Sequence, residues 1–368
     1  MPGLRQIVPA QNPLRLLAVP LSVACVAMLA GCTTPGATVS GPFNVVPAPE
    51  TSPAYTAQQK AAQDNLVKMV ALQDRLSKVS APLLINNADL CKTYARNLLG
   101  FTAQNKYSYP GVYADAAQAA LGYGEQMQVS SVLPGSGAAR AGLRKGDGLL
   151  AAEGKPLPAG PNAEGPFGAI VAPLASKSAS INMTIAREGQ PQDLKIPVTR
   201  ACAFRVALGN ADNINAYSDG ARIMLTRGMV GAAQNDEGIA FVIAREMAHN
   251  ILDHARAQRS SGTAGSLIDS LGAVQPDVSM LTGSAGVKAM PQDLDAQADT
   301  LAIYLLARAG YDIGNAASFW QRLSAQVPAS TANGYTALHP GTTARIAAIN
   351  RAVIDVRAKQ SAKKPLRP

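Results

Sequence analysis

The chain has 368 residues, 47% of them hydrophobic, with a formal charge of +9. That length suits two domains and is ample for a substantial core. Beyond one short run near the start, no apolar stretch is long enough to cross a bilayer, so the body is expected to be soluble and tethered.

Arg5 and Arg15 precede an apolar run over residues 16–29, which closes on Leu29, Ala30, Gly31 and Cys32. The basic start, short run and small-residue end mark residues 1–31 as a signal peptide. The L-A-G-C ending resembles the bacterial lipobox, which implies cleavage before Cys32 and lipidation of its thiol. Thr33 and Thr34 follow in place of an aspartate, so the resemblance implies the periplasmic face of the outer membrane. Loss of Arg5 and Arg15, the only charges before Cys32, leaves +7. Residues 32–56 are rich in Pro, Thr, Ser and Gly without periodicity and read as a flexible tether. Of the four cysteines, Cys25 lies in the signal and Cys32 is the lipid site. Cys91 and Cys202 remain, either as one disulfide in an oxidising compartment or as two buried thiols.

Residues 58–79 place Ala61, Leu66, Met69, Val70, Leu72 and Leu76 on one side of a helix. A weaker helical stretch covers 87–99, and the whole of 57–120 reads as an N-terminal helical part. From 121 to 199 the chain turns rich in Gly, Pro and β-branched residues. Here V-L-P-G-S-G-A-A-R-A-G-L-R-K-G-D, residues 132–147, resembles the PDZ domains of bacterial periplasmic proteases. Ile181, Met183 and Ile185 alternate before a turn at Arg187, Glu188 and Gly189, a second PDZ-like feature. Such domains add a peptide strand to a sheet edge. Leu121, Gly122, Tyr123 and Gly124 are then the expected carboxylate-binding loop. An unrelated β insert is the alternative.

Residues 214–226 form a hairpin around an Asp219-Gly220 turn. Residues 241–254 read as a buried amphipathic helix. On it Glu246 precedes His249 by three and Arg245 precedes it by four, so all three share one face. Zinc peptidases use H-E-x-x-H there, two histidines gripping the metal and the glutamate activating its water. This chain reads R-E-M-A-H. His254 follows His249 by five, about 140° around a continuous helix, and reads as a helix-end residue. Residues 260–292 are Gly/Ser-rich, a candidate flap over a cleft. Residues 294–310, 316–325 and 342–356 read as helices. The basic residues Arg351, Arg357, Lys359, Lys363, Lys364 and Arg367 face Asp355 alone. A lipoprotein does not meet nucleic acid, so the 359–368 tail reads as a solvated, frayed end.

Together the 215–230 hairpin, the Arg245 helix, D-A-Q-A-D at 295–299 and L-H-P at 338–340 resemble the HtpX- and BepA-like zinc metallopeptidases. These are gluzincins of the CAAX-prenyl-protease type. The likeness covers 58–122 weakly and 204–356 well. It implies zinc held by His249 and Asp295, with His339 either a further ligand or a residue packing beside Pro340, Glu246 as general base and Asp299 behind the first ligand. Two positions depart from the family: Arg245 replaces the first histidine, and Asp295 is a methylene shorter than the usual glutamate. A guanidinium cannot bind zinc, but its planar fork suits two carboxylates. Arg245 is therefore expected to bridge Asp295 and Asp299, and Arg345 reads as an ion-pair partner. The expected architecture is α+β: a mostly helical gluzincin-type metallopeptidase domain with a small hairpin sheet at 200–358, carrying the β-rich PDZ-like insert. Two functions follow. One is a periplasmic metalloendopeptidase acting on misfolded envelope proteins, weakened or silenced by Arg245. The other is a non-catalytic module that binds unfolded or C-terminal peptides. The partners in both are envelope polypeptides and the membrane, not nucleic acid.

Overall fold

The computed structural model describes residues 53–281, 285–328 and 334–368. Cys32, the signal segment and the tether up to residue 52 lie outside them, and residues 53–56, expected in the tether, begin the first helix. No helix among the described residues is long and apolar enough to cross a membrane. The fold is α+β.

Helix α1 (Pro53–Asn86) runs through Pro82, past the end the periodicity indicates. Val79, Leu83 and Leu84 are buried in the main core on both sides of that proline, so packing outweighs one lost backbone hydrogen bond. The 87–99 stretch is not a helix. After a 3-10 turn at Lys92–Tyr94 it becomes strand β1 (Ala95–Leu98). Its partner is β8 (Thr199–Cys202), antiparallel, with Ala95 opposite Cys202 and Leu98 opposite Thr199. A disulfide joins Cys91 to Cys202 beside this ladder, with Cα atoms 5.6 Å apart.

Strand β2 (Phe101–Gln104) follows, then α2 (Val112–Leu121), which packs on α1 through Leu66, Tyr113 and Ala117. The Leu121–Gly124 stretch is no carboxylate loop. It closes α2: Gly122 N donates to Gln118 O, Tyr123 N to Ala117 O and Gly124 N to the Gln128 side chain. Those amides are already bonded, and the Tyr123 ring is buried against Tyr109.

The β-rich unit comprises β3 (Gln128–Val132), α3 (Gly137–Arg140), β4 (Gly148–Ala152), β5 (Lys155–Pro156), α4 (Glu164–Lys177), β6 (Ser180–Arg187) and β7 (Gln190–Pro197). Its sheet runs β2-β3-β4-β6-β7, with β5 on β4, so β2 joins it although it precedes residue 121. Alternation gives it a core of its own around Met127, Leu149, Ile181, Met183, Ile185 and Ile196. The β6–β7 turn has both Glu188 and Gly189 at positive φ, as a tight hairpin requires. A Cβ at Gly137 would stand 1.7 Å from the Pro197 carbonyl oxygen, so only glycine lets α3 close on β7.

Next come β9 (Arg205–Gly209), β10 (Ala216–Ser218) and β11 (Arg222–Thr226), ordered β10-β11-β9. Thr226 caps α5 (Arg227–Ala233), and Asn235 caps α6 (Asp236–Ile251) by accepting from Gly238 N at 2.8 Å. Helix α6 is buried from Gly238 to Ile251. Asp253 then adopts the left-handed conformation and α7 (His254–Ala257) leaves in a new direction. Much of the 260–292 stretch is helical: α8 (Ser261–Leu271) rests Leu267, Ile268 and Leu271 on Tyr217, Met224 and Leu338. Helices α9 (Gln292–Arg308), α10 (Ala316–Gln326), α11 (Tyr335–Leu338) and α12 (Thr343–Ser361) complete the main core.

The basic tail is not frayed. Leu366 packs against the main core, Arg308 donates to its carbonyl at 3.3 Å, and Arg367 reaches Asp89 at 3.1 Å. Lys359 also pairs with Asp355 at 2.8 Å and donates to the Arg367 carbonyl at 2.6 Å, and these contacts offset the entropy of ordering the tail.

Candidate active site

The site lies where α6 meets α9, closed by α11 and the start of α12. Arg245, Glu246 and His249 come from α6, Asp295 and Asp299 from α9, His339 from the end of α11 and Arg345 from α12. All seven are buried, and Arg245 is 0% exposed. A cation at zero exposure stands only if every donor is met by charge or a hydrogen bond.

Arg245 meets that demand. Its Nε donates to Asp299 Oδ1 at 2.8 Å, Nη2 to Asp295 Oδ1 and Nη1 to the Tyr335 hydroxyl. Glu246 Oε1 stands 3.8 Å from Nη1. The guanidinium carbon lies 5.3 Å from the Trp320 ring centre and 5.4 Å from that of Tyr335, so aromatic faces line its apolar sides. Burial works against its charge, but Asp295, Tyr335, Asp299 and Glu246 outweigh it, and its pKa is raised well above the ordinary value. The cation is permanent.

Arg345 is the second clamp. It holds Asp299 through Nε at 2.7 Å and Nη2 at 3.1 Å, and its Nη1 donates to the carbonyl of His339 at 2.9 Å. Asp299 is thus shared by two guanidinium groups. Burial opposes ionisation of Asp295, yet Arg245 and His339 hold its carboxyl far below the usual carboxylate range.

Both oxygens of Glu246 are held. Oε2 accepts from the Ser218 hydroxyl and Oε1 from that of Tyr335, each at 2.8 Å. Burial would raise its pKa; His339, His249, Arg245 and the Ser218 hydrogen bond bring it below the ordinary value. Tyr335 stays protonated, because burial lifts its pKa well above the ordinary one.

His254 does not point away. The left-handed residue Asp253 breaks the helix phase and brings His254 Nδ1 to 2.9 Å from His249 Nδ1. Burial and then His249 lower its pKa to about 4, so it is neutral at pH 7. Tyr94, beside the disulfide, donates to Asp253 and braces this turn. Spacing on a continuous helix cannot reveal either contact. Ser218 and Tyr335 also carry no motif; only their place beside Glu246 gives them a part.

His339 Nδ1 lies 2.8 Å from Asp295 Oδ1, and burial followed by Arg245 lowers its pKa. His249 Nε2 stands 3.4 Å from the same oxygen without making a hydrogen bond. His249 Nε2 and Asp295 Oδ2 are buried without partners among the described residues. Glu246, His249 and His339 present ligand atoms within 4.8 Å of one another and form a possible metal-binding triad.

Residues 181–353 match the model of peptidase family M48. This part of the chain is similar to M48 peptidase domains. The chain is 23% identical over 147 residues to the mitochondrial metalloendopeptidase OMA1 of Schizosaccharomyces pombe, covering 38% of this chain and 44% of that protein. It is 30% identical over 167 residues to the beta-barrel assembly-enhancing protease of Escherichia coli, covering 40% of this chain and 34% of the relative. The same protease of Shigella flexneri matches equally. The chain thus spans less than half the length of these relatives.

M48 peptidases are zinc enzymes, and the residues here do not fit a hydrolytic zinc centre. A catalytic site needs three protein ligands and a separate base. Arg245 stands where the H-E-x-x-H pattern of zinc peptidases has its first histidine, and its Nη2 occupies the Asp295 oxygen nearest His249. The one triad within metal reach among the described residues includes Glu246, so a metal there would take Glu246 as a ligand and leave it unavailable as a separate base.

Proposed function

We propose that this protein is a lipid-anchored, non-hydrolysing M48-type protein of the bacterial outer membrane that holds unfolded or misfolded envelope polypeptides. The observation that carries this is the buried guanidinium of Arg245, bonded to both aspartates where a zinc ligand is required. The lipobox-like ending at Cys32 supports the anchor, and the E. coli relative, named for β-barrel assembly, supports clients of that kind. The opposed reading is a working metalloendopeptidase. It draws on Glu246, His249 and His339 lying within metal reach, and needs Arg245 to leave Asp295.

Client binding is assigned to the β-rich, PDZ-like unit. An extended peptide adds to a sheet edge through main-chain hydrogen bonds, and alternate side chains fill pockets. The sheet ends on β2 and β7. Strand β7 carries Pro191 and Pro197, which lack donors, so β2 is the better acceptor edge.

The test uses the β1–β8 ladder. Leu98 and Thr199 are cross-strand partners, so residues 99–198 can be replaced by an Asn-Gly turn. The shortened protein should melt cooperatively and no longer keep an unfolded β-barrel protein from aggregating. Undiminished protection would assign client binding to the M48 domain. For the anchor, Cys32→Ser should move the protein from the membrane to the soluble fraction. A variant that stays membrane-bound in high salt would contradict lipidation.

A further inference from the structure

A cleft of about 470 Å³ opens between α1 and the β3–α3 turn, away from the Arg245 cluster in its lining. Its volume falls within the range of small-ligand sites, roughly 300–1,000 Å³. Val132, Pro134, Ala139 and Leu143 supply apolar lining from the β-rich unit. Around them stand Lys78 from α1 and Arg144 and Lys145 from the end of the α3 turn, against one acid, Asp74. Lys145 is engaged by that acid, Nζ to Oδ2 at 2.6 Å. The side chains of Lys78 and Arg144 are exposed and enter no hydrogen bond or ion pair among the described residues. Apolar lining with two unpaired cations is complementary to one kind of ligand: an aliphatic body ending in a negative charge.

We infer that this cleft binds an aliphatic carboxylate, with the apolar part against Val132, Ala139 and Leu143 and the carboxylate between Lys78 and Arg144. A free fatty acid and the C-terminal residue of a polypeptide both present that chemistry. None of the lining residues belongs to the Arg245 cluster, so this site and the silent M48 centre stand or fall separately.

Titration calorimetry on the intact protein tests it with four probes: decanoate, decanol, a hexapeptide ending in leucine, and its C-terminal amide. At least one of the two carboxylates should bind, and its uncharged analogue should bind more weakly, by up to about fivefold for each exposed ion pair lost. Binding by decanoate alone assigns a fatty acid, and binding by the free-acid peptide alone assigns a chain terminus. Lys78→Glu/Arg144→Glu should weaken the carboxylate about tenfold or more, two exposed pairs being lost, with an unchanged melting temperature. The inference is overturned if neither carboxylate binds at millimolar concentration, or if the uncharged analogue binds equally well. Undiminished binding by the folded double variant would also overturn it. The comparison of analogues needs no variant, so it decides even if the substitutions unfold the chain.

Discussion

Arg245→Ala should lower the unfolding free energy by about 3–5 kcal/mol, the usual result of removing one partner from a buried ion-pair network. The guanidinium is met by Asp295, Asp299 and Tyr335, and Glu246 lies 3.8 Å away. Without it, Arg345 is the one arginine left beside three buried carboxylates, and among them it reaches only Asp299. Arg245→Lys should recover only part of the loss, because an ammonium cannot span both aspartates as a planar fork does. Urea unfolding checks this directly. A loss below about 1 kcal/mol would mean that Arg245 contributes no more than a surface pair. Arg245→His is the informative companion, since it restores the missing ligand type and should raise zinc affinity.

The second large effect belongs to the disulfide. Cys91 and Cys202 are 111 residues apart, and closing a loop of that size stabilises by about 4–5 kcal/mol in the chain-entropy account. Both cysteines are fully buried, so Cys91→Ser with Cys202→Ser also places hydroxyls in the main core. The double variant should unfold at markedly lower urea, and Tyr94 should loosen from the turn at Asp253. Thiol labelling of the denatured, unreduced protein should find neither cysteine reactive. Two labelled thiols, or an unchanged midpoint in the double variant, would contradict this.

What could be read from the sequence had local causes. The α6 helix is apolar throughout a whole turn pattern, and the Asp219-Gly220 turn names its own hairpin. The partners of Arg245 are legible because Asp295 and Asp299, four apart, share a helix face. What escaped depends on distant partners. Residues 95–98 look helical alone and become a strand because Thr199–Cys202 lies beside them. Gly122 and Gly124 look like an anion loop but close α2, since nothing local tells a helix cap from a binding turn. His254 was placed by continuing a helix that Asp253 ends. The tail reads as solvated by composition, whereas Leu366 finds the core and Arg367 finds Asp89.

The proposed silence of the Arg245 site is tested most directly by metal analysis of the purified protein together with casein hydrolysis. The Arg245 geometry predicts less than stoichiometric zinc, no turnover above background, and no change on Glu246→Gln. One tightly bound zinc per chain, with casein cleavage that Glu246→Gln abolishes, would show that Arg245 yields the site to metal and that the protein is a working peptidase.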